Sequence, residues 1–230
     1  MKNISSPTIL LLLLALPGCN APQSPSPSSA ARPQSSSRQP RTIPAATGPQ
    51  NFDYYLLNLS WSPEFCATHP NNRECGQHLG FILHGLWPQN LNGSYPQHCS
   101  SDPAPRDLSA FRDIAPDTGL LRHEWTTHGT CSGLTPNDFF TLARQALHSV
   151  SIPPKLTTLD RQISMPPAEI LSLFTNSNPS FPRDSFALSC GNNYLTAIEV
   201  CLNKTLQPIS CGPIRSCRAN TVRITPPQAN

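Results

Sequence analysis

The chain has 230 residues with 27 prolines, 9 cysteines and a formal net charge of +3. The whole positive excess sits near the start, in Lys2, Arg32, Arg38 and Arg41; from residue 51 onward twelve Lys and Arg face thirteen Asp and Glu. A weakly acidic domain of that kind excludes a broad basic face that grips nucleic acid by its phosphates, so any contact with a polyanion has to be local.

Lys2 precedes the apolar run from Ile9 to Leu16. This run is far too short to cross a bilayer and reads as an export signal over residues 1–18. Its end, Leu16-Pro17-Gly18-Cys19, resembles a bacterial lipoprotein signal, which implies cleavage before Cys19 and lipid on its thiol. The expectation is a periplasmic or cell-surface lipoprotein, or otherwise a secreted protein. Residues 21–50 hold seven prolines and seven serines, a composition that cannot bury enough apolar surface to order itself, so 19–50 is expected to be an extended tether. The folded domain then spans 51–225, with 226–230 as a tail.

Setting Cys19 aside leaves eight cysteines, none in a CxxC pair, which argues for disulfides in an oxidising compartment rather than a zinc ribbon. Tyr54 to Trp61 reads as an opening strand stopped near Pro63. Cys66 and Cys75 enclose a polar loop and are placed for a local disulfide, with His69 and His78 as surface residues beside it. Leu79 to Gln89 suits a buried strand, with His84 at its end, where Gly85 permits a turn and the close approach of another group. Residues 90–117 are polar and rich in proline, so loops and short helices are expected there. Tyr95 is either an exposed stacking residue or a core filler, and His98 before Cys99 is structural.

The densest chemistry lies in Arg122-His123-Glu124-Trp125-Thr126-Thr127-His128-Gly129-Thr130-Cys131. If Leu120 to His128 is helical, Glu124 lies about 100° and His128 about 140° round from His123, while Trp125 lies about 200° round and faces a core. Two imidazoles and a carboxylate then share one side. A zinc protease needs histidines at i and i+4; these stand at i and i+5, so proton transfer near neutral pH is the better use of them. The nearby carboxylate is expected to hold an imidazolium or bias its pKa upward.

Thr135 and Pro136 open a helix through Leu147 whose Phe139, Leu142, Ala143 and Ala146 share a face. Pro167 to Phe174 is a shorter helix. Ser185–Cys190 and Tyr194–Leu202 alternate as two strands joined at Gly191-Asn192-Asn193, and pairing Cys190 with Cys217 and Cys201 with Cys211 would clip this region shut. Strands first, helices in the middle and a closing hairpin give an α+β domain.

Phe81 to Gln89 and His123 to Cys131, their histidines His84 and His128 forty-four residues apart, resemble the two active-site segments of the ribonuclease T2 family. The likeness extends to Tyr54–Cys66 and Val200–Cys211 and covers nearly all of residues 52–217. It implies a central antiparallel sheet with flanking helices, and cofactor-free, metal-free cleavage of single-stranded RNA through a 2′,3′-cyclic phosphate with low base specificity. Carried over by position, His128 takes the proton of the 2′-hydroxyl and His84 gives one to the departing 5′-oxygen. His123 holds the phosphate, Glu124 helps stabilise the phosphorane, and Cys99 pairs with Cys131 beside the site. Trp87 stacks on a base; from their own placement, and not from the family, Tyr95 and Thr127 are expected as further substrate contacts.

Two positions depart from the family pattern. Thr127 stands where a lysine is usual, about 40° round from His123 and inside the arc facing the site; the lost cation implies a slower but working enzyme. Gln89 stands where an acidic residue is frequent, so base preference does not carry over. The competing readings are a relative that binds RNA or another polyanion without cutting it, and an unrelated metal-dependent hydrolase. Asn58, Asn92 and Asn203 each begin an Asn-x-Ser/Thr acceptor.

Overall fold

The computed structural model describes residues 51–227. The expected export signal, Cys19, the tether and residues 228–230 of the tail lie outside the described residues.

The chain opens with strand β1, Tyr54–Trp61, whose residues alternate between two faces of a sheet. Tyr55, Leu57, Leu59 and Trp61 enter the main core, while Tyr54 and Leu56 pack in a smaller cluster with Ala187, Cys201 and Cys211. Pro63 does not merely stop this strand. It sits in the first turn of helix α1, Ser62–Thr68, a position where proline's missing N–H costs nothing. The Cys66–Cys75 disulfide fastens α1 to the 3₁₀ turn that follows, and His69 and His78 are exposed.

Strand β2, Phe81–Gln89, runs antiparallel to β1. The pairing jumps from Asn58 with Gly85 to Leu59 with Leu83, so His84 is an extra residue without a partner. It therefore lies in a bulge in the middle of a strand, not at the strand's end. A bulge turns a side chain out of the regular alternation, and here it does so to the histidine.

After a polar connection comes α2, Thr118–Thr127, with Asp117 as its cap: the carboxylate accepts from Gly119 N at 2.8 Å. The connection straps α2 down. Trp125 Nε1 donates to the Asp102 carbonyl at 2.9 Å, and the Arg122 guanidinium donates to the carbonyls of Pro105 and Arg106. Trp125 is buried against Phe139, and full burial of a ring of that size contributes on the order of 3 kcal/mol.

Helix α3, Pro136–Ser149, begins where Thr135 Oγ1 accepts from Asp138 N, and its Phe139, Phe140, Ala143 and Ala146 lie in the core. Helix α4 is one turn, Pro154–Thr157, and α5 runs Pro167–Ser177, a turn beyond the stretch its sequence marks. Between them lies β3, Ile163–Met165. Strands β4, Phe186–Gly191, and β5, Tyr194–Leu202, form a hairpin whose turn places Asn192 and Asn193 at φ of 51° and 65°, a backbone that asparagine tolerates.

The last strand, β6, Val222–Ile224, pairs with β3 and touches β5 in parallel at Tyr194 and Arg223. The sheet order is β2-β1-β5-β6-β3 with β4 on β5. The architecture is α+β with a predominantly antiparallel sheet. Disulfides join Cys99 to Cys131, Cys190 to Cys217 and Cys201 to Cys211 as well. Among the described residues no helix is long and apolar enough to cross a membrane. Asn58 is 5% exposed within β1, so a glycan cannot be carried there on the folded chain.

Candidate active site

Helix α2 and strand β2 meet at a glycine. A Cβ built on Gly85 would lie 2.1 Å from Glu124 Oε2 and 2.2 Å from Trp87 Nε1. Glycine is therefore required for the hydrogen bond that crosses this point, from Trp87 Nε1 to Glu124 Oε2 at 2.7 Å. That bond fixes the indole and the carboxyl together and commits the N–H of Trp87 to the protein. The indole N–H is then no longer available to a bound molecule.

The other carboxyl oxygen, Glu124 Oε1, is buried with no hydrogen-bond partner and lies 3.7 Å from His84 Nε2. Burial pushes the Glu124 carboxyl up from its ordinary 4.5 to about 8, against the Trp87 bond, which pulls the other way. Its neighbours move in the opposite sense. His84 is held below its ordinary 6.5 by burial and then by His123. His128 is pulled down to about 4 by burial first, then by His123, His84 and His98.

The expectation that the carboxylate would raise a histidine's pKa therefore reverses. Glu124 is 2% exposed, and desolvation favours the uncharged form of acid and imidazole alike. Glu124 therefore keeps its proton up to about pH 8, and its 3.7 Å approach to His84 below that is not an ion pair.

The rings are arranged around Trp87. Its centroid stands 5.3 Å from His84, edge to face, and 5.3 Å from His128, tilted by 32°. His128 is 7% exposed and caps α2, its N–H donating to the Glu124 carbonyl at 3.0 Å. Gly129 beyond it allows the chain to pass Trp125: an added Cβ would lie 2.5 Å from that ring. His123 is exposed on α2, its ring centroid 6.4 Å from that of His128. Thr127 is buried with Oγ1 3.4 Å from His123 Nδ1, so it faces the site as its helical offset requires. The Cys99–Cys131 disulfide and the bond from His98 N to the Thr127 carbonyl, 2.8 Å, tie the preceding loop to the end of α2.

Two cavities open beside these groups. One, of about 330 Å³, is lined by Leu56, Trp87, Gln89, Tyr95, Gln97 and His128. Tyr95 is 55% exposed at its edge, which makes it a surface ring and not core filler. The other, of about 300 Å³, has His84 in its wall together with Ser60, Phe65, Thr68, Asn192 and Thr196. The sequence reading missed Phe65 and Asn192. Phe65 sits on α1, in a stretch where Pro63 reads only as a strand stop, and Asn192 comes from a hairpin turn that only the folded sheet carries to β1.

Site and strap together bring His84, Trp87, His123, Glu124, Thr127 and His128 to one place, with Tyr95 at the margin. His123, Glu124 and His128 can also each bring a donor atom within 4.8 Å of the other two.

Residues 52–211 match the model of the Ribonuclease T2 family. Over 120 residues the chain is 45% identical to a ribonuclease of Aeromonas hydrophila, a match covering 50% of this chain and 54% of that one. Over 178 residues it is 29% identical to a probable ribonuclease of Haemophilus influenzae, covering 69% of this chain and 61% of the relative. The chain thus spans between half and two thirds of the length of these relatives. Ribonuclease MC1 from bitter gourd seeds superposes with a TM-score of 0.60 at 22% identity, over 74% of this chain and 99% of that one, a likeness of fold.

Proposed function

This chain belongs to the ribonuclease T2 family, and from that membership and the geometry of its site we propose that it is a metal-independent endoribonuclease acting on single-stranded RNA. The observation that carries this reading is the placement of His84 and His128 in the walls of two different cavities, each ring centroid 5.3 Å from that of Trp87. RNA holds its own nucleophile, so cleavage needs a base at the 2′-hydroxyl, an acid at the departing 5′-oxygen and donors for the charge between them.

His128, neutral above about pH 4, accepts the proton of the 2′-hydroxyl as that oxygen bonds to phosphorus. The bond from phosphorus to the 5′-oxygen breaks, and His84 supplies the proton that oxygen needs. The products are a 2′,3′-cyclic phosphate and a free 5′-hydroxyl. Glu124, protonated through the acidic range, donates a hydrogen bond to a phosphoryl oxygen where an ionised carboxylate would repel it. His123, exposed at the entrance, holds the phosphate. The nucleotide that keeps the cyclic phosphate occupies the cavity of Trp87 and Tyr95, and the departing nucleotide occupies that of Phe65 and Asn192.

DNA lacks the 2′-hydroxyl and is not a substrate. Four disulfides suit an oxidising compartment, and we extend the reading to export with a lipid at Cys19, which the mass of the mature N-terminus would test.

The test is incubation of the intact chain, disulfides formed, with matched RNA and DNA oligonucleotides in chelator, products identified by mass. RNA cut to 2′,3′-cyclic ends with DNA spared, and no cutting by His84→Ala/His128→Ala, is the expected result. Intact RNA that the protein nevertheless retains would favour the second reading, a binding relative, to which the neutral Thr127 points.

A further inference from the structure

Four buried side-chain atoms among the described residues have no hydrogen-bond partner: Tyr54 Oη, Asn58 Oδ1, Glu124 Oε1 and His128 Nδ1. The last two belong to the catalytic cluster. The first two stand on β1, on the face that turns away from the main core. An orphaned buried atom costs stability, so a strand that keeps one in its middle needs a reason for it.

Asn58 stands where the two cavities of the site meet. Its neighbours along the same face of β1 are Leu56, in the wall of the cavity of Trp87, and Ser60, in the wall of the cavity of His84. Across the sheet it is flanked by Glu199 of β5 and Gly85 of β2. Its Nδ2 turns to the first, 3.4 Å from Glu199 Oε1, which also accepts from Ser189 Oγ at 3.0 Å. That leaves Oδ1 on the side of Gly85. There the bond between Trp87 and Glu124 fills the space of the missing Cβ, with Glu124 Oε2 2.1 Å from where that atom would be. Opposed residues of an antiparallel pair carry their Cβ atoms about 5 Å apart on one face. A small movement of either side chain therefore closes a hydrogen bond between the Asn58 amide and the Glu124 carboxyl, and catalytic bonds are often long until substrate is bound.

An amide suits this place. Half a turn about its last bond exchanges carbonyl for N–H, so it can accept from a protonated carboxyl or donate to an ionised one. Burial raises Glu199 as it raises Glu124, so Asn58 lies between two carboxyls that hold their protons beyond the usual range.

We propose that Asn58 is a positioning residue for RNA cleavage: braced by Glu199, its amide holds the Glu124 carboxyl in the orientation that serves the phosphate. At 5% exposure it does not touch RNA and acts through Glu124. This role rests on the ribonuclease reading.

The experiment uses the intact chain, disulfides formed, and measures kcat and KM on a single-stranded RNA oligonucleotide beside Tm. Leucine has nearly the shape of asparagine without its polar atoms. Asn58→Leu should therefore leave Tm unchanged or raise it, while kcat falls about tenfold or more and KM stays within about twofold. Asn58→Ala should lower kcat to a similar degree. Glu199→Ala should lower kcat in the same direction and add little to Asn58→Leu. In a Glu124→Ala background, with no carboxyl left to hold, Asn58→Leu should cost less than about twofold. Unchanged kcat in Asn58→Leu and Asn58→Ala overturns the proposal alone. So does a loss that keeps its size in the Glu124→Ala background, or one that goes with a matching fall in Tm in both variants, since Asn58 then serves the packing of β1. An unaltered chain that cuts no RNA overturns the ribonuclease reading and this role with it.

Discussion

Trp87 and Glu124 come from different elements and are joined by one hydrogen bond, 2.7 Å from indole nitrogen to carboxyl oxygen, laid across Gly85. The bond holds an uncharged acid at one end and, at the other, a ring whose centroid lies 5.3 Å from those of both His84 and His128. Gly85→Ala would place a methyl within 2.2 Å of both partners, nearer than any real contact. We expect it to lower kcat about a hundredfold or more, comparable to losing a positioned transition-state donor, and to shift the tryptophan fluorescence. Activity near that of the unaltered protein would mean that the pair does not position the site.

The pH profile should be acidic. The proposed mechanism needs His128 without its proton and His84 with its own. The first condition is met above about pH 4. The second fails as pH rises through the His84 value, which burial holds below 6.5. A plot of kcat/KM against pH should therefore be bell-shaped, with its maximum between these limits. A maximum above pH 7 would contradict the assigned roles.

Much of this was legible in sequence because the chemistry is local. His123, Glu124, Thr127 and His128 share a turn and a half of helix and its cap, so their common side follows from helical geometry. The opening strand, the capped start of α3 and the hairpin of β4 and β5 follow from alternation, Thr135-Pro136 and Asn192-Asn193. What stayed hidden was set by pairing across the sheet. His84 reads as a strand end beside Gly85, whereas it is a bulge created by the register of β1. Strands β3 and β6 are three residues each and are defined by pairing across the sheet, β3 with β6 and β6 with β5. The direction of the carboxyl and imidazole shifts was hidden as well, since it depends on how deeply α2 sinks Glu124.

Restoring the family's lysine should accelerate the reaction. Thr127 Oγ1 lies 3.4 Å from His123 Nδ1, so a longer side chain from the same Cα reaches the phosphate position. An ammonium there offsets charge that develops in the transition state. Thr127→Lys should raise kcat/KM on the order of tenfold. An unchanged value would show that the neutral site has lost nothing.

Folding stability should report the buried acid. Folded Glu124 keeps its proton up to about pH 8 while the unfolded carboxyl releases it near 4.5, so the folded state binds more protons and stability falls as pH rises through that window. His128 works the other way: its folded value of about 4 lies below 6.5, so stability is gained between these and complete above 6.5. Between about pH 6.5 and 8 the fall due to Glu124 stands apart from the histidines. Tm should drop by several degrees there, and Glu124→Gln, which keeps an acceptor for Trp87, should flatten the drop. An equal drop in both proteins would place the titrating group elsewhere.

The two cavities can be told apart by what leaves the site. On the proposed mechanism a dinucleotide fills both, whereas hydrolysis of a 2′,3′-cyclic mononucleotide has only water to accommodate on the side of His84. Phe65 lines that second cavity, its ring stacked on His69 at 4.4 Å, and Tyr95 lines the first. Loss of a stacking ring costs about 1–3 kcal/mol per base, roughly 5- to 150-fold in binding. Phe65→Ala should therefore raise KM for dinucleotides while leaving the cyclic substrate unaffected, and Tyr95→Ala should raise KM for both. If Phe65→Ala slowed the cyclic substrate as well, the second cavity would be serving the geometry of His84 and not the departing base, and the ring would have to be read as support for the bulge.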